Sequence, residues 1–566
     1  MDDKRTLMAF LLVGVIFLLM PFYYEWMGIS TSAPEPELAA QAKKAEADSA
    51  QWSVSGRMAT RDEAVAIAPP LASETSQTRS GPEPERFVEV VTARQRLRFS
   101  TVGGTLVSSE LSQYSRAKGG LVQLVVPGSH CLGLQLESED GGGAVQDLRN
   151  VHFEPDVDRL DLSEGQEGWL RLRTSLPDGH SVERTYHILG GEYGLEASVR
   201  LTGFSDDTVA RLTWERGIAL AERDAELDVQ PMRALAYWNE TLKTVQVDDD
   251  ESDSWTERGD VRWAGVRNKY FLVAVAPLAE SRHRVSLTGR PIVEEPFRAY
   301  EFSVATRWGD LPDREWRVLL YSGPLDLEEI AQYERDFARA MDLGFPVVRD
   351  IAKILLRLFV AAYEVIPNYG WIIVVFGLIV KLLVYPLTHK SYESAAKMQD
   401  LQPKLVALRE KHKNNNQRLS QETMKLYREE GVNPLGGCLP LVLQMPIFIA
   451  MYQVFSSAIQ LRQTPWILWV RDLSLPDDIA VAGYTMHALP LLMAASMFFQ
   501  SKMTMKDPKQ AALVYVMPVV MVFVMWSFSS GLVLYWTVFN ILQIGQQQLT
   551  NCLKQRAQPA LAPARK

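Results

Sequence analysis

The sequence WIIVVFGLIVKLLVYPL, residues 371–387, is an apolar segment with a single lysine near its centre. Its length is sufficient for a helix that crosses the hydrocarbon core of a bilayer. A lysine at this depth costs roughly 2.5–3.5 kcal/mol where it faces lipid, and from mid-span it reaches the headgroups poorly. We therefore expect Lys381 to face a bundle interior or a water-filled cavity, with the other spans packed around it.

The chain of 566 residues contains two unlike parts, a polar stretch from about 85 to 335 and an apolar one from about 370 to 550. Its length predicts at least two domains. The net charge of −9 excludes a generally basic protein that coats nucleic acid. The three cysteines, Cys131, Cys438 and Cys552, are widely spaced, so neither a disulfide framework nor a paired-cysteine metal site is predicted.

The N-terminal residues 1–30 have the pattern of a membrane anchor. Lys4 and Arg5 precede a long apolar run, and an aromatic cluster follows it, which predicts that the N-terminus stays in the cytoplasm. The alternative is a cleaved signal peptide, with its only small-residue site near Ser32. Residues 31–85 are rich in Ala, Pro, Ser and Glu, which predicts a flexible linker.

Residues 86–340 change to a period of two. Segments such as FVEVVTARQRLRF and HSVERTYHIL alternate apolar and polar side chains between Gly, Pro and Asp clusters, which is typical of antiparallel strands with one buried face. We expect a large all-β sandwich on the outer side of the membrane. The acidic run at 248–251 lacks the spacing of an EF-hand loop and indicates a solvated loop.

Helical patterns follow the predicted sandwich. Residues 326–340 read as a polar helix, and residues 346–366 as an amphipathic helix that lies either in the membrane interface or against the base of the sandwich. A second span at 369–388 precedes a charged, antiparallel helical hairpin at 389–433. Four further spans occupy 434–550, at about 436–459, 479–499, 511–526 and 532–549, and a basic tail ends the chain at 551–566.

The short basic loops all fall on one side of this arrangement, which predicts six spans with both termini in the cytoplasm. The cores of the last five spans contain no Asp or Glu. A proton- or cation-coupled transporter would require such buried carboxylates. His487 is expected to be a lone histidine near the outer end of a span, without a partner acid or nucleophile, so no hydrolytic machinery is predicted. Chemistry in the membrane is therefore expected to centre on Lys381.

Neutral polar residues accompany the lysine in the other spans: Gln444, Thr537, Asn540 and Gln543. Thr537 and Asn540 are three positions apart and share a helix face. With Lys381 they could line a wet groove inside the bilayer, or they could join helices to one another through hydrogen bonds. Several methionines, Met445 among them, suit a surface that receives varied apolar partners.

Several sequence motifs resemble the YidC membrane protein insertase family, in its Gram-negative form with a large periplasmic domain. They are VYPLTHKSYESAAKMQDLQPK, NPLGGCLPLVLQMPIF, QLRQTPW with a following LWVRDLS, and SSGLVLYWTVFNILQIGQQQ. The resemblance is dense over 346–553. It implies a periplasmic β-super-sandwich, an N-terminal anchor and a five-helix core whose hydrophilic groove opens to the cytoplasm and to lipid.

The same resemblance implies roles for individual residues. The positive groove residue of the family, more often an arginine, matches Lys381. The substrate-contacting positions match Gln444, Met445 and Phe448, and the groove tyrosine is replaced by Trp536. The hairpin matches a mobile cytoplasmic hairpin, the basic tail a ribosome-contacting end, and the periplasmic domain a contact for Sec accessory subunits.

We therefore expect an insertase and chaperone that inserts and folds integral proteins of the bacterial inner membrane, alone or with the Sec translocon. Its expected partners are nascent membrane proteins, the Sec translocon and its accessory subunits, the ribosome and the lipid bilayer. It is expected to be no enzyme and to need no cofactor, nucleotide or metal. The alternatives are a small-solute transporter or channel, and a periplasmic binding module on a membrane anchor.

Overall fold

The computed structural model describes residues 84–139, 146–223, 228–247, 251–279, 281–292, 298–311, 313–412, 415–431, 439–481, 484–504 and 511–557. The predicted anchor, nearly all of the predicted linker, the acidic positions 248–250 and the end of the basic tail lie outside these residues. The described residues belong to one compact unit.

Strands account for most of the N-terminal half of this unit. In chain order they are β1 (Phe87–Thr92), β2 (Gln95–Ser100), β3 (Leu106–Ser115), β4 (Leu121–Gln123), β5 (Gly133–Ser138), β6 (Gln146–Asp147), β7 (Glu154–Pro155), β8 (Arg159–Leu162), β9 (Glu167–Ser175), β10 (Ser181–Leu189), β11 (Gly194–Thr202), β12 (Thr208–Trp214), β13 (Arg233–Trp238), β14 (Thr241–Val245), β15 (Asp253–Arg267), β16 (Phe271–Pro277), β17 (Arg282–Pro291), β18 (Arg298–Arg307) and β19 (Trp316–Pro324).

These strands form two sheets. The smaller sheet has the order β4-β3-β2-β1-β8, and the larger follows β6-β5-β12-β18-β17-β15-β16-β19-β11-β10-β9-β7, with β13 and β14 joined beside β15. The pairing of β1 with β8 is parallel, whereas the neighbouring β1–β2 and β10–β11 pairs are antiparallel. The expected all-β domain is therefore confirmed.

Alternating burial along the strands explains why this sequence forms a sheet with one covered face. In β10, Val182, Arg184, Tyr186 and Ile188 are buried while their neighbours are partly exposed. Buried Arg184 donates hydrogen bonds to the carbonyl oxygens of Gly103 and Leu132, at 2.8 and 2.7 Å, which offsets the desolvation of its charge. Four tryptophans occupy the largest buried positions: Trp214, Trp263, Trp308 and Trp316.

The predicted continuous polar helix at 326–340 is wrong. A short helix α1 (Leu327–Ala331) begins after Asp326, whose side chain accepts a hydrogen bond from the amide of Glu328, and a single 3₁₀ turn forms later at Phe337–Ala340. Between them Glu334 and Asp336 have φ angles of 51° and 58°, in the left-handed region that a right-handed helix cannot contain. The backbone therefore turns twice where a regular helix was expected.

Helix α2 (Pro346–Tyr363) packs against the apolar helices that follow it. Its buried face contains Val348, Ala352, Leu355, Leu356 and Phe359. The Phe359 ring lies 5.3 Å from that of Phe376 and 6.1 Å from that of Phe455. The opposite face exposes apolar side chains such as Ile354 and Leu358. One side of this helix is thus held by the helical region while the other is free.

Helix α3 (Tyr369–Asp400) contains the lysine-bearing segment and continues into the predicted hairpin without a break. Its part Tyr369–Pro386 is long and apolar enough to cross a membrane. The hairpin continues with α4 (Gln402–Lys411) and α5 (Asn416–Glu429). Leu401, Leu405 and Leu419 are buried in its thin apolar seam.

The remaining helices are α6 (Leu439–Ser457), α7 (Ala488–Thr504), α8 (Ala511–Met525) and α9 (Ser530–Ala557). Within α8 the segment Val514–Met525 is a shorter apolar helix. The span expected to begin at residue 479 begins instead with α7. Before it, β20 (Ile479–Val481) and β21 (Tyr484–Met486) pair in antiparallel orientation, and both strands contain the β-branched or aromatic residues that strands favour.

Candidate functional site

Lys381 faces the interior of the helical region. Its side chain is 5% exposed, whereas its neighbours Leu382 and Leu383 are 64% and 75% exposed. Successive residues of a helix point about a quarter of a turn apart, so α3 presents leucines outwards and the lysine inwards. The expectation that this charge faces other helices agrees with its position.

Two side chains of α9 hold the Lys381 ammonium. Its Nζ donates a hydrogen bond to Oε1 of Gln543 and lies 4.6 Å from the centroid of the Phe539 ring. Gln543 and Phe539 are four positions apart and therefore share one face of α9. Sequence reasoning included Gln543 among the polar neighbours but missed Phe539, although the spacing of the two residues was a usable signal.

Thr537 and Asn540 are buried on α9 but make other contacts. The Thr537 hydroxyl donates to the carbonyl oxygen of Val533 in its own helix, at 2.7 Å. The Asn540 amide donates to Ser496 Oγ of α7 at 3.2 Å, and that hydroxyl donates to the Met493 carbonyl at 2.6 Å. The described hydrogen bonds link neither residue to Lys381, and the bond of Asn540 joins α9 to α7. Ser496 was missed by sequence reasoning.

An aromatic contact joins α6 to α9 on the next part of the site. The rings of Phe448 and Trp536 lie 4.7 Å apart with an interplanar angle of 76°, an edge-to-face arrangement that aromatic pairs favour. Met445, one turn before Phe448, is 41% exposed, and the Gln444 side chain faces the Tyr535 hydroxyl. These residues form an apolar wall with one amide at its edge.

The outer surface of the helices is strongly apolar. Large exposed apolar side chains on α3, α7 and α8 include Leu378, Ile379, Leu382, Leu383, Leu492, Phe499, Tyr515, Val519, Val520, Phe523 and Val524. Soluble monomers rarely expose a contiguous apolar surface of this extent. Backbone polar groups in these segments are satisfied within helices, as a hydrocarbon environment demands. Both features suit a surface that contacts lipid.

The segment between α6 and α7 is bound to the β domain through charged groups. Arg462 Nε donates to Glu222 Oε1 at 2.5 Å, and its Nη2 donates to the Ser115 carbonyl oxygen at 2.8 Å. Lys269 Nζ donates to the Ser474 carbonyl oxygen at 3.4 Å. The segment that sequence reasoning placed outside the membrane therefore lies on the same side of the helices as the β domain. Sequence reasoning did not single out Arg462, although it lies within the QLRQTPW motif.

Metal-binding residues are not assembled in the described part of the chain. Within those residues no group of three His, Cys, Asp or Glu side chains could hold an ion. His487 directly precedes α7, and its Nδ1 contacts the carbonyl oxygen of Asp477 and lies 3.5 Å from Asp478 Oδ1, so the expectation that this histidine has no acidic partner is wrong. Its ring lies 4.7 Å from that of Trp526. The chemistry available at the site is that of one cation, several amides and hydroxyls, and an apolar wall.

Two family models match consecutive parts of the chain. The YidC periplasmic domain matches residues 87–358, and the 60Kd inner membrane protein matches residues 361–557. The membrane protein insertase YidC of Chlorobium luteolum is 35% identical over 427 residues, 72% of each chain. That of Pelobacter propionicus is 31% identical over 569 residues, 97% of this chain and 99% of its own. A crystal structure of an active YidC insertase, with its first transmembrane domain resolved, covers 82% of this chain and 93% of its own at 18% identity and a TM-score of 0.36.

Proposed function

The chain belongs to the YidC family of membrane protein insertases, and from that premise we propose that insertion proceeds through a groove centred on Lys381. The family and its periplasmic domain place the protein in an inner membrane. The insertase relatives favour this function over the small-solute transporter that the sequence left open. The main observation in support of this groove is that the Lys381 ammonium faces inwards, on a helix whose outward-facing side chains are apolar and suit lipid.

The ammonium of Lys381 is the group that receives the polar end of a substrate. An ammonium has three N–H donors, and the described hydrogen bonds engage one of them, with Gln543. A carboxylate or backbone carbonyl of an incoming segment can accept from the others. That contact lowers the desolvation cost of carrying a short polar segment into the membrane.

The apolar wall receives the hydrophobic part of the substrate. Met445 is exposed beside the Phe448–Trp536 ring pair, so a flexible thioether adjoins two rigid aromatic rings. Such a surface adapts to helices of different sequence. Transfer of the substrate helix into lipid is then driven by burial of its apolar surface, so the protein acts as a chaperone and insertion factor and catalyses no covalent reaction.

The proposed topology has six spans, with both termini in the cytoplasm and the β domain in the periplasm. The contacts of Arg462 and Lys269 support it, because they join the segment between α6 and α7 to the β domain. The charged hairpin α4–α5 then lies at the cytoplasmic end, where it and the basic tail would contact the ribosome. We further propose that the β domain contacts Sec accessory subunits and that substrates arrive either directly or through the Sec translocon.

The experiment is complementation of cells depleted of their own insertase, with insertion of a small single-spanning protein as the readout. Wild type is compared with Lys381→Arg, Lys381→Gln and Lys381→Ala. Lys502→Gln is the matched control, since Lys502 also lies beside a phenylalanine, 6.0 Å from the Phe498 ring, but at the end of α7. We expect wild type, Lys381→Arg and Lys502→Gln to restore insertion and the two uncharged Lys381 variants to fail at equal expression. Restoration by all variants would contradict a role for the charge.

A further inference from the structure

A cavity of about 170 Å³, lined by both polar and apolar side chains, lies where the helices meet the β domain. It is far larger than the roughly 10–15 Å³ that a single ordered water requires. The end of α6, the turn between α8 and α9, the segment before β20 and the turn between β15 and β16 line it, and it is open to the outside of the molecule. Its lining residues are Lys269, Tyr452, Ser456, Ser474, Leu475, Pro476, Ser527, Phe528 and Ser529.

Lys269 supplies the cavity's cationic group without a partner of opposite charge. Its described contacts are the 3.4 Å hydrogen bond to the Ser474 carbonyl and the Tyr270 ring, whose centroid lies 4.9 Å from Nζ. Within the described residues no carboxylate lies at ion-pair distance from it. Burial lowers the pKa of Lys269, so the fold holds a partly desolvated cation that a bound anion would stabilise.

The nearby carboxylates already have other partners. Glu222 is bound by Arg462, and Asp472 accepts hydrogen bonds from the amide and hydroxyl of Ser474. Asp228 accepts from the amides of Ala221 and Glu222 and from the Asn268 side chain. Their negative charge favours protonated Lys269 without occupying it. The lysine remains free to bind an anion on the side that faces the cavity.

Hydroxyl groups line the same cavity as this cation, and aromatic residues lie among or next to the lining residues. Ser456, Ser527 and Ser529 line the cavity and can each donate a hydrogen bond to an anionic oxygen. Tyr452 lines the cavity and is 36% exposed, and Trp526, which is 37% exposed, directly precedes the lining residue Ser527 in the chain. Amphipathic aromatic residues at the ends of apolar helices are typical of the headgroup level of a bilayer.

We propose that this cavity binds the phosphate group of a phospholipid from the outer leaflet. A lysine with several hydroxyls matches a phosphate, whose oxygens are strong acceptors and whose charge compensates the ammonium. The cavity opens where the ends of α6, α8 and α9 would meet the headgroups, which makes a lipid the source of the phosphate. The assignment of the phosphate to a lipid rests on the topology proposed above, whereas the assignment of an anion-binding site rests on the cavity alone. A lipid held here would bridge the helices and the β domain.

The test measures lipid bound to the purified full chain in detergent by native mass spectrometry. The probes are dioleoyl phosphatidylglycerol, dioleoylglycerol, which lacks the phosphate, and inorganic phosphate as a competitor. Lys269→Gln removes the cation, and Ser456→Leu fills the cavity while leaving the cation in place. Lys243→Gln, in strand β14 away from the cavity, is the matched lysine control.

We expect phosphatidylglycerol to bind wild type and Lys243→Gln equally, and to bind Lys269→Gln and Ser456→Leu about ten-fold more weakly or worse, as the loss of a charge-assisted contact implies. Dioleoylglycerol should bind no variant at this site, and inorganic phosphate should not displace the lipid. Unchanged lipid binding by folded Lys269→Gln and Ser456→Leu would overturn the site. Displacement of phosphatidylglycerol by inorganic phosphate at matched concentration would show that the bound phosphate need not come from a lipid, and would overturn that part of the proposal. Failure here leaves the Lys381 insertion result untouched, so the two proposals fail separately.

Discussion

Arg462 and Glu222, 240 positions apart in the chain, form an ion pair that is almost completely buried: their side chains are 3% and 1% exposed. The Arg462 guanidinium also lies 5.8 and 5.7 Å from the ring centroids of Tyr270 and Phe271. The pair joins the segment after α6 to the β domain. The domain is therefore held against the helical core through a desolvated charge contact.

Replacement of one partner should destabilise the protein strongly. Arg462→Met leaves the Glu222 carboxylate buried without its cation, which costs about 3–5 kcal/mol in comparable buried pairs. We expect a clear fall in the thermal unfolding midpoint of the purified chain, followed by tryptophan fluorescence. The double variant Arg462→Met with Glu222→Gln should recover part of this loss, because it removes the unpaired charge.

The control for this prediction is a second ion pair between the same two regions. Arg223 and Asp478 lie 3.7 Å apart, with side chains 75% and 51% exposed. Arg223→Gln should change stability by only about 0–1 kcal/mol, since solvent screens exposed pairs. If Arg462→Met unfolded no more easily than Arg223→Gln, the buried pair would not be what holds the domain.

The buried carboxyl of Asp228, which lies near the Arg462–Glu222 pair, should make the stability of the protein depend on pH. Burial raises the pKa of its carboxyl from 3.8 to about 6, against the hydrogen bonds that it accepts from the amides of Glu222 and Ala221. Between these values the folded state binds more protons than the unfolded state. The stability that Asp228 contributes is therefore full below about pH 4 and is lost as the pH rises through 6.

The size of this effect follows from the difference of about two pH units, at ~1.4 kcal/mol each, which gives about 3 kcal/mol. Asp228→Asn cannot titrate, so the stability of wild type relative to this variant should fall by up to that amount between pH 4 and pH 7. Urea unfolding at a series of pH values measures the difference. A relative stability that rises with pH would place the folded pKa below 3.8 and contradict the prediction.

The sequence predicted the inward-facing Lys381 and the alternating strands because each depends on local pattern. A charge inside an apolar run and a period of two both carry their physical cause within a few residues. The Arg462–Glu222 pair has no such signal, since its two residues come from separate regions and meet only in the folded chain. The break in the expected helix at Glu334 and Asp336 likewise depends on backbone conformations that composition does not dictate.

The polar residues of the last helix show the same limit within a single element. Their spacing placed Thr537 and Asn540 on one face of the helix, yet the two side chains form hydrogen bonds with acceptors in different helices. The Thr537 hydroxyl binds its own backbone at Val533, and Asn540 binds Ser496 on a different helix. Helical periodicity predicts the face of the helix on which a side chain lies, but it does not predict which residue that side chain contacts.

Two glycines of helix α9 should respond oppositely to alanine. A Cβ at Gly531 would lie 2.8 Å from the Phe455 ring and 3.1 Å from the Leu473 carbonyl oxygen, so the buried ring or the backbone must move. Overpacking of this kind costs about 1–3 kcal/mol. A Cβ at Gly545 meets nothing within 4 Å, and alanine is favoured over glycine in a helix by about 0.8–1.0 kcal/mol.

We therefore expect Gly531→Ala to lower the thermal unfolding midpoint and Gly545→Ala to leave it unchanged or raise it. Both variants add one methyl group to the same helix, so each is the control for the other. Equal midpoints would show that the start of α9 is not held closely against Phe455.

The contact between Lys381 and Gln543 should be visible in a double-mutant cycle, because Gln543→Leu should destabilise the protein when Lys381 is present and should not when it is absent. With the lysine present, Gln543→Leu removes the acceptor of a buried ammonium, and an unsatisfied buried group costs about 1–3 kcal/mol, more where it is charged. With Lys381→Met, the Gln543 amide has lost its partner, so the same change to leucine should be neutral or stabilising. Thermal unfolding of the four purified proteins measures this coupling. Gln548→Leu, at an exposed position of the same helix, should have the same small effect in both backgrounds. An equal effect of Gln543→Leu with and without the lysine would show that the two side chains do not interact and that the ammonium is stabilised by other groups.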